Sequence, residues 1–293
     1  MTPVVQSFTI KSLLVLLLMR PRVAQFIKWV VYLALIVNFG VYVYDDWMAY
    51  QRALAPGAPW SDIIGQFATT IDVAAWLGLV FLFELETYAL PDEAFKGWVT
   101  KAMHTVRVVC YVGVAYAAYG YTVNTLDYYD YVEADGLTGL CQIADQDRSL
   151  QLDTIAYLPI TNENCASISS SALFYQKVGE MSVIDAAALD HVQKLSWVDV
   201  ANAFVWLVVV LLIEIEIRMQ AAGRLGSRIL KPVRILKTVL YGELIFNAVI
   251  WAMTGYPIYA WDAFLWIFGF WAIELNLAEW EQERTQELAA AMP

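Results

Sequence analysis

The run VFLFELETYAL, which extends from Val80 to Leu90, places two carboxylates, Glu84 and Glu86, in an otherwise apolar segment. Apolar segments of this length are typical of helices that are buried in a core or in a bilayer. Ionisable side chains are costly in such helices, and they are usually paired or face an internal cavity. The run therefore predicts a helix whose glutamates have partners or a function.

Two later runs repeat this arrangement. LLIEIEIRM (Leu211–Met219) contains Glu214 and Glu216, and WAIELNLAEW (Trp271–Trp280) contains Glu274. The three runs share the pattern [DN]-x3-W-[LI]-x5-[FI]-E-[LI]-[EN], in which a tryptophan follows the first residue by four positions and a glutamate follows it by twelve. One construction is therefore used three times.

The apolar segments that precede the three copies also match. Each copy of the pattern begins with a polar residue, and each preceding segment begins with a basic one: Asp72, Asn202 and Asp262, and Lys28, Arg107 and Lys237. Fixed offsets of this kind over paired segments indicate internal repeats. We expect three helical hairpins that run in the same direction.

The composition predicts a polytopic membrane protein. The chain has 293 residues, of which 60% are hydrophobic and 16% are charged, whereas a soluble domain has about 25% charged residues. Six apolar runs approach the roughly 20 residues that span a bilayer, and they lie at about 23–44, 71–90, 103–123, 198–217, 235–255 and 260–279. The predicted fold class is all-α, with six transmembrane helices and one small disulfide-stapled insert.

The spans and the polar segments between them divide the chain. The predicted parts are an N-terminal interfacial segment (1–22), hairpin 1 (23–90), hairpin 2 (103–217) with an insert (124–196), a basic linker with hairpin 3 (218–279), and a polar tail (280–293). The insert contains Cys141 and Cys165, and it lies on the side that we predict to be oxidising. We expect these cysteines to form a disulfide, the alternative being two free thiols.

Matched depths predict three ion pairs. A helix rises about 1.5 Å per residue, so the glutamate of each copy lies about 18 Å from the polar residue that begins the pattern. In an antiparallel hairpin this depth corresponds to that of the basic residue. The expected pairs are Lys28–Glu84, Arg107–Glu214 and Lys237–Glu274. They either hold the helices in register or serve as countercharges in an ion pathway.

The remaining carboxylates of the spans are candidates for the same pathway. Glu86 and Glu216 follow their neighbours by two positions and therefore point to a different side of the helix. Asp72 and Asp262 form a second polar layer. Glu243, in span five, has no counterpart in the other repeats, and we expect it either to lie in a proton pathway or to bond to an aromatic side chain.

The distribution of basic residues predicts the topology. Lysine and arginine are concentrated before span one, between spans two and three, and between spans four and five. By the positive-inside rule, both termini are cytoplasmic and the insert is extracytoplasmic. The absence of an N-x-[ST] sequon from the insert fits a bacterial inner membrane. The basic segment 224–237 is expected to contact anionic lipid.

Each hairpin resembles the first two helices of a voltage-sensor domain of the ion-channel superfamily. The resemblance rests on Asn38 in the first helix and on the pattern from Asp72 to Glu84 in the second, over about forty residues of each copy. It implies a helix pair in which carboxylates at two depths act as countercharges. The chain departs from that family because it has neither a correctly placed arginine helix nor the TVGYG filter.

Two classes of function remain open. One is the handling of ions or protons through carboxylates inside the membrane, in the manner of a channel or transporter. The other is a non-catalytic scaffold, sensor or accessory subunit, alone or in a homo- or hetero-oligomer. The formal net charge of −11 argues against nucleic-acid binding. No cysteine–histidine cluster, phosphate loop or haem-attachment motif appears, so we predict no enzyme activity, no cofactor and no metal.

Overall fold

The computed structural model of the protein describes residues 21–85, 97–221 and 230–270. Helices dominate these ranges: α1 (Pro21–Ala53), α2 (Trp60–Gln66), α3 (Ala68–Glu84), α4 (Trp98–Asp127), α5 (Ala186–Ala221), α6 (Leu230–Met253) and α7, residues 257–270. The turn between α6 and α7 is tight because Gly255 adopts a φ of +96° and Pro257 opens the next helix.

Four helices are long and apolar enough to cross a membrane: Gln25–Ala53, Trp98–Asp127, Ala186–Glu216 and Leu230–Met253. A fifth crossing is possible through α2 and α3, which meet at a bend of 61°. These lengths are consistent with a membrane protein. Large apolar side chains such as Trp29 and Leu33 are exposed, as expected of helix faces that contact lipid.

The polar insert forms a small sheet, which the predicted all-α class did not include. Its strands are β1 (Val132–Glu133), β2 (Ser149–Gln151), β3 (Tyr157–Pro159), β4 (Phe174–Gln176) and β5 (Ser182–Asp185). They pair in the order β1-β4-β5-β2-β3, and β2 and β5 are parallel. The predicted Cys141–Cys165 disulfide is present. The adjacent helices extend into the predicted insert, so the part between them is 128–185, which contains one short 3-10 helix, Leu140–Ile143.

The insert is fastened to the helix bundle at the end of α1. The amide of Met181 donates a hydrogen bond of 2.8 Å to the carbonyl of Ala53, and Leu54 forms a β-bridge with Glu180. A second attachment is the side chain of Gln193, which donates to the carbonyl of Tyr128 at 2.9 Å. The loop 177–181 is therefore held over one end of the bundle.

The three tryptophans of the repeated pattern meet in the centre of the bundle. The ring centroid of Trp76 lies 6.0 Å from that of Trp206 and 6.2 Å from that of Trp266. The ring of Phe270 packs against Trp206 at 4.9 Å. All three tryptophans are buried. Aromatic clusters of this size bury a large apolar area, so the three tryptophans help to hold the bundle together.

Helices α3 and α4 approach closely because α4 presents glycines to small residues of α3. A Cβ atom placed on Gly113 would lie 3.0 Å from the Cβ of Ala75, and one on Gly120 would lie 3.2 Å from the Cβ of Ala68. Small residues allow such approach between membrane helices, where packing replaces the hydrophobic effect as the main attraction. This contact joins the predicted hairpins 1 and 2.

We expect Gly113→Leu to destabilise the bundle, because the rigid Cβ of Ala75 cannot rotate out of the way. Overpacking of this kind costs about 1–3 kcal/mol, which a lowered thermal midpoint of the purified protein will report. The matched control is Gly40→Leu on the exposed face of α1, where nothing lies within 4 Å. Equal midpoints for the two variants would contradict the close packing of α3 and α4.

Candidate functional site

The bundle has two polar layers of different character. The first, which we call the far-side layer, lies away from the insert and is made of ion pairs. In it, the ammonium of Lys28 lies 2.7 Å from the carboxylate of Glu84, as the sequence predicted, and the hydroxyl of Tyr32 donates to the same carboxylate at 2.6 Å. This pair links α1 to α3.

The ion pairs of Glu214 and Glu216 in the far-side layer differ from those that the sequence predicted. Glu216, rather than Glu214, is the buried member of its pair, and it accepts hydrogen bonds from Arg234 and Lys237 of α6. Glu214 forms an i,i+4 pair with Arg218 at 2.7 Å, in place of the predicted Arg107. Sequence spacing could not find this exchange, because the rotation of α5 about its axis decides which glutamate faces α6.

Three predicted candidates remain. Glu86 and Glu274 lie outside the described residues. Glu243 is described, and its side chain is exposed on α6. Its neighbours Ile245 and Phe246 are also exposed, which puts Glu243 on an apolar outer face of the bundle.

The second layer lies next to the insert and consists of four aspartates, which we call the insert-side carboxylates: Asp46, Asp72, Asp199 and Asp262. Each of them accepts a hydrogen bond from a neutral donor. Asp72 accepts from the hydroxyl of Tyr121 at 3.1 Å, Asp262 accepts from the amide of Asn38 at 2.9 Å, and Asp199 accepts from the indole of Trp251 at 3.1 Å.

Asp46 accepts two bonds from Thr70, one from its amide at 2.8 Å and one from its hydroxyl at 2.7 Å. In the part of the chain that the structure describes, no lysine, arginine or histidine forms an ion pair with any insert-side carboxylate. The far-side glutamates of these ranges, in contrast, all have a cationic partner.

A central cavity of about 790 Å³ opens between the insert-side carboxylates. Trp76, Trp206 and Phe270 are the deepest lining residues on α3, α5 and α7, so the tryptophan cluster forms its floor. The loop 177–180 and the tyrosines of the insert form its roof. Asp72, Asp199 and Asp262 are only half-buried because they face this space.

The rim of the cavity carries three further acids, Asp62, Asp127 and Glu180, and one lysine. The ammonium of Lys177 lies 2.7 Å from Asp127 and 3.7 Å from Glu180. Burial lowers the pKa of Lys177, but the hydrogen bond and the charge of Asp127 outweigh burial, so the pKa lies above its ordinary value. Burial also raises the pKa of Tyr131 and Tyr157 in the roof, so both remain neutral phenols.

Sequence reasoning identified Asp72 and Asp262 but missed Asp46 and Asp199. Asp199 lies one helical turn before Asn202, the residue that replaces aspartate in the second copy of the pattern. A search one turn away from the substituted position would have found it, because residues three apart lie on the same face of a helix. Asp46 carries no such signal, and the cavity itself depends on tertiary packing.

The described residues contain no group of three or more histidine, cysteine, aspartate or glutamate side chains that could hold a metal ion. The insert-side carboxylates are therefore dispersed around the cavity. No protein family matches the sequence, and the searches of curated proteins and of solved structures found no match either.

We expect Glu216→Gln to destabilise the protein strongly, since removing one member of a buried ion pair costs about 3–5 kcal/mol. Glu214→Gln is the matched control. Its pair with Arg218 is exposed and on one helix, where such pairs contribute about 0.3–0.5 kcal/mol. Thermal unfolding of both purified variants measures the difference. A midpoint for Glu216→Gln as high as that for Glu214→Gln would show that the buried pair does not hold α5 against α6.

Proposed function

We propose that this protein takes a cation into the central cavity from the insert side and handles it in the manner of a transporter. The observation that carries this proposal is the contrast between the layers. The far-side glutamates are neutralised by cations of the protein, whereas the insert-side carboxylates are held by neutral donors and face a cavity. An ionised carboxylate in a low-dielectric bundle requires a countercharge or a proton.

The direct consequence is that the cavity attracts positive charge. Carboxylates that line a cleft with apolar walls focus the electrostatic potential and concentrate counterions there. Each neutral donor fixes an aspartate in place without cancelling its charge. A cation that enters the cavity, or a proton that is taken up in its absence, would supply the missing compensation.

The tryptophan floor favours a transporter over an open channel. Trp76 packs against Trp206 and Trp266 between the cavity and the far-side ion pairs. Passage of a cation would require these rings to separate and the ion pairs to open. Alternate opening of two ends around a central site is the usual scheme of secondary transporters, which are often built from repeats.

We also propose the full architecture of six spans in three parallel hairpins, and a contact pattern supports it. The bonds of Asp46 lie within hairpin 1. The bonds of Asp72, Asp199 and Asp262 each join the first helix of one predicted hairpin to the second helix of another: α1 to α7, α4 to α3, and α6 to α5. Such a cyclic pattern is expected of three copies around a pseudo-threefold axis. The meeting of the three tryptophans near that axis gives it further support.

The proposed topology places both termini in the cytoplasm and the insert outside, in a bacterial inner membrane. The disulfide in the insert supports this orientation, because disulfides persist in oxidising compartments. The partner at the basic segment 224–237 is proposed to be anionic lipid. Lys231 is exposed there, whereas Lys237 is buried against Glu216 and is not available. Exposed Glu243 supports an oligomer, since a partner chain would shield its charge from lipid.

A sensor or accessory subunit is the second candidate, and the closed floor favours it. A protein that binds a cation on the insert side and never opens the tryptophan cluster would report the ligand without moving it. Both candidates are non-enzymatic, and they share the cavity. They differ in whether charge crosses the membrane.

Reconstitution into liposomes tests transport. Na⁺, K⁺ and linear amines are supplied outside in turn, and dyes inside report membrane potential and pH. We expect at least one gradient to drive a signal, and Asp72→Asn with Asp262→Asn to lower its initial rate roughly tenfold or more, because each lost charge contact costs about 1.4 kcal/mol or more.

Glu214→Gln is the control, since this carboxylate lies outside the cavity, and its rate should equal that of the parent protein. The absence of any signal from monodisperse, reconstituted protein would exclude transport and leave the sensor. A signal that the two aspartate substitutions leave unchanged would exclude the insert-side carboxylates from the pathway.

Cysteine labelling tests the proposed topology. Val178 is 92% exposed in the roof loop, and Lys231 is exposed at the other end of the bundle. A membrane-impermeant maleimide should label Val178→Cys in intact cells, and it should label Lys231→Cys only after the membrane is opened. The reverse pattern would invert the orientation, and labelling of both in intact cells would contradict the proposed spans between them.

A further inference from the structure

The charged side chains that line the central cavity are mostly negative. Four insert-side carboxylates and three rim carboxylates line it, against a single lysine among the described lining residues. The amide oxygen of Asn202, another lining residue, is buried and accepts no hydrogen bond from the described chain. The charged groups of the lining are thus mostly acceptors, and they favour a ligand that carries several positive N–H donors.

The size and spacing of the site do not suit a bare metal ion. A volume of about 790 Å³ lies in the range of pockets for organic molecules, which is roughly 300–1,000 Å³. A metal ion binds where several oxygens converge within about 2–2.6 Å of one point. The carboxylates do not form such a group in the described residues. Dispersed charges in a large space instead match a ligand whose own charges are dispersed.

Aromatic rings line the cavity between the carboxylates. Tyr42 stacks on Tyr259 at 5.8 Å, and Trp251 meets Tyr259 at 6.0 Å, edge to face. Rings of this kind attract ammonium groups by cation–π interaction and pack against the methylene groups between them. A bare inorganic ion would retain its water in such surroundings, whereas an aliphatic amine would contact the rings directly.

We propose that the central cavity binds a linear aliphatic polyamine, with its ammonium groups distributed among the insert-side carboxylates. This inference rests on the proposed function and names its ligand class. Lys177 shows the type of bond involved, since its primary ammonium, on an aliphatic stem, pairs with Asp127 and Glu180 at the rim. The ammonium of Lys177 then competes with the polyamine for the rim carboxylates, and its positive charge weakens the binding of a polyamine.

Calorimetric titration of the full chain tests the inference. The protein is held in a maltoside detergent, whose headgroup carries no ammonium, and spermidine is the probe, with Mg²⁺ and n-butylamine for comparison. We expect saturable binding of spermidine that equimolar Mg²⁺ does not displace. Asp72→Asn and Asp262→Asn should each weaken it roughly tenfold, and Lys177→Met should strengthen it by several-fold, about what one charge contributes at a partly exposed site.

Opposite effects of the aspartate and lysine substitutions are not expected of variants that merely unfold. Glu214→Gln is the matched control and should bind spermidine like the parent protein. The inference would be overturned by the absence of spermidine binding, by its displacement by Mg²⁺ at equal concentration, by equal affinity for n-butylamine, or by affinities that the aspartate and lysine substitutions do not change.

The transport proposal and the polyamine proposal can be refuted independently of each other. Carboxylate-dependent flux of Na⁺, K⁺ or protons without spermidine binding would leave transport standing and overturn the polyamine. Carboxylate-dependent spermidine binding without flux of any ion would leave the ligand site standing and identify the protein as a sensor.

Discussion

A carboxylate inside a helix bundle must be compensated, and the two ends of this bundle meet that requirement differently. At the far side, Glu84 and Glu216 receive charge from lysine and arginine of neighbouring helices. At the insert side, the hydrogen bonds that Asp72, Asp199 and Asp262 accept from the described residues come from neutral groups. The far-side pairs link helices, whereas the insert-side aspartates have no basic partner among the described residues, which is the basis of the proposed cation site.

The tryptophan cluster separates these two environments. It lies where α3, α5 and α7 approach one another, and it closes the cavity on the side of the ion pairs. The close contact of α3 with α4, which Gly113 and Gly120 permit, sets the position of Asp72 opposite Tyr121. Packing in the centre of the bundle therefore determines how far apart the aspartates lie, and with that the shape of the ligand that we propose for them.

Much of this arrangement follows from the repeated pattern. The offsets of four and twelve residues indicated the tryptophans, the Lys28–Glu84 pair and two of the four insert-side carboxylates. The spacing could not decide between Glu214 and Glu216, because that choice depends on the rotation of α5 against α6. It also could not place Glu243, since exposure on α6 depends on which neighbours surround that helix. The all-α class omitted the sheet of the insert, because strands of only two to four residues are too short to give a clear alternating pattern.

The central claim is that the cavity is open to water and selects for positive charge. The most direct test places a cysteine at Thr69, a lining residue one turn before Asp72, in a Cys110→Ala background. Its rates of modification by a cationic and by an anionic methanethiosulfonate are then compared. The account predicts that the cationic reagent reacts roughly tenfold faster or more, and that the ratio falls toward one when Asp72 and Asp262 are replaced by asparagine. Equal rates for the two reagents, or no reaction with either, would contradict it.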